Sequence, residues 1–153
     1  MRGKPVAFAV ATGAVVVAVY ALPGAQALDR PGTIQISDAE SRHAHVDVGA
    51  KGHSVGDLDV YSVLLYNKRI TPRSIGHGTM LCTVVGSTGQ SCQATYFLPR
   101  GELVAEGMIT SRLIYALAVV GGTGLYNNVR GTLTVTSIKR KPSKELLVFR
   151  LVV

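Results

Sequence analysis

The sequence predicts an all-β domain, an antiparallel barrel or sandwich, and three observations carry that prediction. Helical periodicity is absent after residue 27. Short strand-like segments instead follow one another at close spacing, divided by Gly, Pro, Asn and basic turns. The third observation is the glycine cluster Gly121-Gly122-Thr123-Gly124, which leaves the apolar segment Tyr115–Val120. A dinucleotide loop needs a further glycine where Asn127 stands and a helix behind it, and a P-loop needs a Gly-Lys-Ser/Thr that is missing. The chain runs on as Thr132-Leu133-Thr134-Val135-Thr136, a strand alternation. The cluster therefore reads as a strand–turn–strand corner whose glycines supply positive φ and close backbone approach.

In chain order, residues 1–27 read as a secretory leader. Arg2 and Lys4 form a short positive region, Val6–Leu22 is apolar, Pro23-Gly24 breaks the run, and Ala25-Gln26-Ala27 offers a small-x-small cleavage site. An uncleaved anchor is the other reading, with the apolar run at the lower length limit for a spanning helix. The expectation is an exported protein without stable membrane insertion after cleavage, and one domain over 28–153. Strands are expected near Thr33–Ile36, Arg42–Val48, Leu58–Tyr66, Ile75–Val85, Ser91–Leu98, Glu102–Ile109, Tyr115–Val120, Val129–Ile138 and Glu145–Val153. Tyr115–Val120 has no polar face and Leu146–Val153 almost none. A strand apolar on both sides needs cover on both sides, which points to subunit packing outside or a dry lumen that takes an apolar ligand.

Of the 16 Lys and Arg, two lie in the leader, leaving 14 against 9 Asp and Glu, a net charge of +5. Lys139, Arg140, Lys141 and Lys144 cluster between the last two strands without interleaved aromatic residues, so nucleic-acid binding is not expected. Two cysteines are present. A hairpin closed through Gly86-Ser87-Thr88, with Val85 opposite Gly89, sets Cys82 against Cys92. A disulfide is the favoured reading in an oxidising compartment, and a reactive Cys82 the alternative.

Landmarks in order then carry a resemblance: Gly56-Asp57, Leu65-Tyr66-Asn67, Gly76-x-Gly78, Cys82-Thr83-Val84-Val85, Leu98-Pro99-Arg100-Gly101, Val104-x-Glu106-Gly107, Leu117 through Tyr126, and Arg130-Gly131. From about Asp47 to Val153 the chain resembles the allene oxide cyclase barrel and the related dirigent proteins. The resemblance implies an eight-stranded antiparallel β-barrel, commonly a homotrimer, with an apolar lumen and no metal or organic cofactor. It also implies action on a hydrophobic or phenolic small molecule, whose cyclisation or coupling is steered by confinement. Arg130 matches the arginine of the dirigent pocket. Cys82 stands where the plant cyclases carry a site cysteine, and Asp47 corresponds to the early-strand acidic residue; buried there, it would act as a proton acceptor.

The residues add further candidates. Tyr96, Tyr126 and Tyr115 are the tyrosines expected to touch a ligand, since a lumen tyrosine hydrogen-bonds a substrate oxygen. His43, His45 and Asp47 alternate along one strand face, a row that His53 or His77 would have to complete as a zinc site. Nothing fixes those further ligands, so no metal is assigned. No Ser-His-Asp order, paired-carboxylate motif or nucleophile elbow occurs. The functions left are a cofactor-free cyclase or isomerase, a lipocalin-like carrier, and a structural secreted barrel.

Overall fold

A computed structural model describes residues 30–67, 73–140 and 143–153, the side chains of 139 and 140 excepted. The expected leader lies outside the described residues. Eight strands follow in sequence: β1 Gly32–Val46, β2 Leu58–Tyr66, β3 Gly76–Val84, β4 Gln90–Leu98, β5 Gly101–Ile109, β6 Ile114–Gly122, β7 Arg130–Arg140 and β8 Ser143–Val152. Each pairs antiparallel with its neighbour, and β1 pairs with β8 to close the barrel. Closure removes both sheet edges.

Alternation sets which side chains face in. Leu147, Phe149 and Leu151 of β8 are buried, as are Leu117 and Val119 of β6 and Leu133 and Val135 of β7. The doubly apolar strands thus resolve into an inner face that fills the barrel and an outer face that meets solvent. On β6 the outer face leaves Ile114 58% and Val120 38% exposed.

Two predicted strands near the start merge into one. Thr33–Ile36 and Arg42–Val48 are parts of the 15-residue β1, which runs through Ser37-Asp38-Ala39-Glu40-Ser41. The polar run suggests a loop by composition, yet Ser37 and Asp38 are buried and paired on both sides, with Tyr66 and Leu65 of β2 and Leu146 and Glu145 of β8. A register shift between Glu40 and Arg42 marks a bulge that lets so long a strand follow the barrel wall.

The glycine corner forms as expected, with a short 3₁₀ turn at Gly124–Tyr126 inside it. It seals one end of the barrel. Leu125 N–H donates to the Arg100 carbonyl (2.8 Å), Thr123 N–H to that of Glu102 (3.0 Å), and the Tyr126 side chain packs into the core. Gly131 carries φ 152°, and a Cβ there would meet the Arg150 carbonyl of β8, so only glycine fits.

The disulfide is present. Cys82 and Cys92 are direct partners across β3 and β4, with Cα atoms 4.0 Å apart, and Val85 N–H donates to the Gly89 carbonyl as the hairpin register requires. A free Cys82 thiol is thereby removed.

Candidate functional site

An eight-stranded barrel is just wide enough to be filled by its own side chains or to hold one small ligand. This one does both at different depths. Toward the sealed end Leu65, Leu103, Leu117, Leu133, Leu147 and Phe149 fill the interior. At the other end, bounded by the β1–β2, β3–β4 and β5–β6 loops, a cavity of about 360 Å3 opens. Its floor is Tyr96, whose ring meets Phe149 edge-on at 5.3 Å. Val63, Met80, Ile109, Leu113 and the Cys82 sulfur supply apolar wall, while Tyr61, Tyr115, Asp38, Glu40, Glu145, Gln90 and Arg112 supply polar groups.

The chemistry concentrates where β1 meets β8. Register pairs Asp38 with Glu145. Asp38 Oδ1 accepts the Glu145 backbone N–H at 3.1 Å, and Glu145 Oε2 accepts the Tyr115 hydroxyl at 3.1 Å. Burial pushes the Asp38 carboxyl up to about 8; the charge of Glu145 adds to this, its N–H works against it, and Glu40 adds a further push. Burial also raises Glu145, opposed by the Tyr115 hydroxyl and by Arg112. Tyr96 and Tyr115 are raised by burial and by the same two carboxyls, so both keep their protons. At neutral pH the lumen therefore holds Asp38 as a carboxylic acid, with its second oxygen free of the backbone bond and able to donate.

A second group rims the mouth. Asp59, buried on β2, receives His43 Nε2 at 3.0 Å and His45 Nδ1 at 2.9 Å on one oxygen and Gln90 Nε2 at 2.6 Å on the other. Burial opposes its charge, but the bonds from His45, His43 and Gln90 prevail and its carboxyl lies below the usual range. His45 is raised, chiefly by its bond to Asp59. Asp57, fully buried, pins the β1–β2 loop by accepting Val48 N–H at 2.9 Å and Ser54 N–H at 2.6 Å, and those bonds lower its carboxyl. His43 stacks on Tyr61 at 4.5 Å and 3°, and the Arg112 guanidinium lies 5.6 Å from the same ring.

Several expected site residues stand elsewhere. Arg130 opens β7 at the sealed end and donates to the Val120 carbonyl at 3.1 Å. Leu133 and Val135 take the inner face, and the arginine shares the outer one with Thr132 and Thr136. Asp47 follows β1 in an exposed loop and accepts the Gly52 N–H. Neither lines the cavity. Tyr126 is buried in the sealing turn, away from the cavity lining. Tyr96 and Tyr115 both line the cavity. His43 and His45 share a face as expected but converge on Asp59, and the described residues contain no group of three or more His, Cys, Asp or Glu arranged for a metal ion. No described helix is long and apolar enough to cross a membrane.

Asp38, Glu40, Tyr61, Arg112 and Glu145 were not singled out as site residues by sequence reasoning. Parity carries the missing signal for the acids: Glu145 is in step with inward Leu147 and Phe149, and Asp38 with Ile34 and Ile36. An acid on the inner side of an apolar strand is a site candidate by that fact alone.

No family profile matches the sequence, and no curated protein matches it. Solved structures do match. A pyocyanin demethylase superposes with a TM-score of 0.69 at 27% identity, over 79% of this chain and 100% of that one. An exo-specific intermolecular Diels-Alderase superposes at 0.63 with 17% identity, covering 78% and 98% of the two chains. A pterocarpan synthase dirigent protein gives 0.62 at 12% identity, over 80% and 83%. The fold is that of the dirigent and cyclase barrels. The neighbours' names attach to their own chemistry, while the likeness below a quarter identity fixes the architecture.

Proposed function

We propose that this dirigent-type barrel binds an apolar, aromatic small molecule in its open half and steers its cyclisation by proton donation from Asp38, without a cofactor. The observation that carries the reading is the buried Asp38–Glu145–Tyr115 set beside an otherwise apolar cavity. A carboxyl of pKa about 8 keeps its proton at neutral pH and can give it to a substrate carbonyl or quinone-type oxygen. That transfer makes the conjugated carbon electrophilic, a hydroxyl of the same molecule adds there as the π electrons move to the protonated oxygen, and the Asp38 carboxylate takes up the proton that this hydroxyl loses. Atoms balance, since cyclisation is an isomerisation. Tyr96 and Tyr115 orient the substrate, and the walls select one folded conformer. A volume of about 360 Å3 falls in the lower part of the range of roughly 300–1,000 Å3 typical of small-molecule sites.

The structural neighbours support a substrate of this class, since the names given to them are those of a Diels-Alderase, a pterocarpan synthase dirigent protein and a pyocyanin demethylase. We also propose export, which the leader-like residues 1–27 and the disulfide support, and self-association as a homotrimer, which the exposed apolar stripe on β6 supports. The test begins with native mass spectrometry of protein from its secreting cells to identify a retained molecule. Turnover of that molecule's precursor is then compared between wild type, Asp38→Asn and Glu145→Gln. Loss of turnover with binding kept supports acid catalysis; unchanged turnover in Asp38→Asn overturns it. Binding without turnover in any form leaves the barrel a carrier.

A further inference from the structure

The Tyr61 hydroxyl is out of place. Tyr61 is 6% exposed and lines the cavity, and its hydroxyl is buried without a hydrogen-bond partner among the described residues. A buried polar group left unpaired carries a desolvation penalty, and such groups in native structures mark a missing partner. The ring is held firmly, with His43 stacked on it at 4.5 Å and Arg112 at 5.6 Å from its centroid.

Arg112 is the second element. It projects from the β5–β6 loop, 66% exposed at its side chain, and lines both the main cavity and a shallower one of about 210 Å3 at the mouth. Arg112 Nη2 donates to Gln90 Oε1 at 3.2 Å, and the guanidinium faces the Tyr61 hydroxyl without the alignment of a hydrogen bond. The nearest Asp59 oxygen is 3.8 Å away, beyond hydrogen-bond range, and is already occupied by Gln90 at 2.6 Å. Asp59 is thus satisfied by His43, His45 and Gln90, and leaves most of the five guanidinium N–H donors for another acceptor.

We infer that the ligand carries an oxyanion, a carboxylate, sulfonate or phenolate on its aromatic frame, which the Arg112 guanidinium and the Tyr61 hydroxyl bind at the cavity mouth. This rests on the cavity reading above and extends it to a ligand with two polar poles. The acceptor oxygen points down to Asp38, and the anion points up to the rim. Glu40 and Glu145 are the acids of the same cavity that oppose an anion, and Asp59 stands 3.8 Å from Arg112; they disfavour an anion seated deeper than the rim. The net charge of +5 on residues 28–153 draws anions toward the barrel from a distance.

Two fluorescent probes test this, because they differ by one sulfonate: 8-anilinonaphthalene-1-sulfonate and the neutral N-phenyl-1-naphthylamine. Wild-type protein is expected to bind the sulfonate about tenfold more tightly, the size of one charge-assisted hydrogen bond. Added salt is expected to narrow the gap. Arg112→Ala should weaken the sulfonate far more than the neutral probe, so that the two affinities become equal, Arg112→Lys should restore part of the preference, and Tyr61→Phe should weaken the sulfonate several-fold. Met80→Trp and Val63→Trp, which fill the lumen from two walls, should abolish binding of both probes while circular dichroism reports intact β-structure. Equal affinity of the two probes in wild type, or an unchanged preference in Arg112→Ala, overturns the oxyanion inference and leaves the cavity reading standing. Failure of both probes to bind, or binding that survives both lumen-filling variants, overturns the cavity reading and this inference with it.

Discussion

Replacing Asp38 with Asn should make the protein more stable at high pH, and the size of the gain follows from the lumen. The wild-type carboxyl titrates near 3.8 when unfolded and about 8 when folded. Between those values the unfolded chain has lost the proton and the folded one keeps it, so stability falls as pH rises through the window and levels off above about 8. Each unit is worth about 1.4 kcal/mol, giving a ceiling of roughly 6 kcal/mol at pH 9. Coupling to Glu145 and local relaxation reduce this, and a gain of about 2–4 kcal/mol, near 10 °C in Tm, is the expected effect of the neutral amide. Asn preserves the shape and can still accept the Glu145 N–H. Urea unfolding of both forms at pH 4, 6, 8 and 9 provides the assay. The two stability curves should coincide near pH 4 and diverge above pH 5. Parallel curves across the whole range would refute the burial of this carboxyl and the acid role built on it.

Other outcomes follow from the same structure. The Cys82→Ser/Cys92→Ser double variant opens a loop closed over 10 residues of sequence separation and should lose about 2–3 kcal/mol in urea unfolding, while reductant should affect only the wild type. Gly131→Ala forces a side chain into the Arg150 carbonyl at φ 152° and should cost about 2–3 kcal/mol or abolish folding, whereas Gly86→Ala, with open space around it, should stay within about 0.5 kcal/mol of wild type. The His45 imidazole should titrate above 6.5 in NMR, and Asp59→Asn should bring its midpoint down. Because the folded value is raised, the His45 contribution to stability is complete below 6.5 and lost as pH rises through the folded midpoint, so the Asp59→Asn penalty should shrink in alkali.

The barrel was legible because its strands are punctuated by turn residues and its glycine corner continues into a strand. The hairpin register that pairs Cys82 with Cys92 was legible for the same reason, since a short turn fixes it. The one misread element, β1, failed on composition: Ser37, Asp38 and Glu40 look like a loop until the strand is closed against both β2 and β8. That misreading also hid part of the site, because Asp38 and Glu40 sit inside the supposed gap. Arg130 illustrates the opposite limit. A motif match placed it in the pocket, while the inward parity of Leu133 and Val135 places it outside. Arg112 and Tyr61 come together only through the closed barrel, as a β5–β6 loop residue meets a β2 side chain, and no local pattern announces such a meeting.

The most direct test of the central claim is a crystal structure, at pH 6.5, of the protein purified from the cells that make it. The account predicts one small aromatic molecule in the half of the lumen above Tyr96, with an oxygen within hydrogen-bond distance of Asp38. A lumen collapsed onto its own side chains, or a bound molecule whose polar atoms stay clear of Asp38, would contradict it.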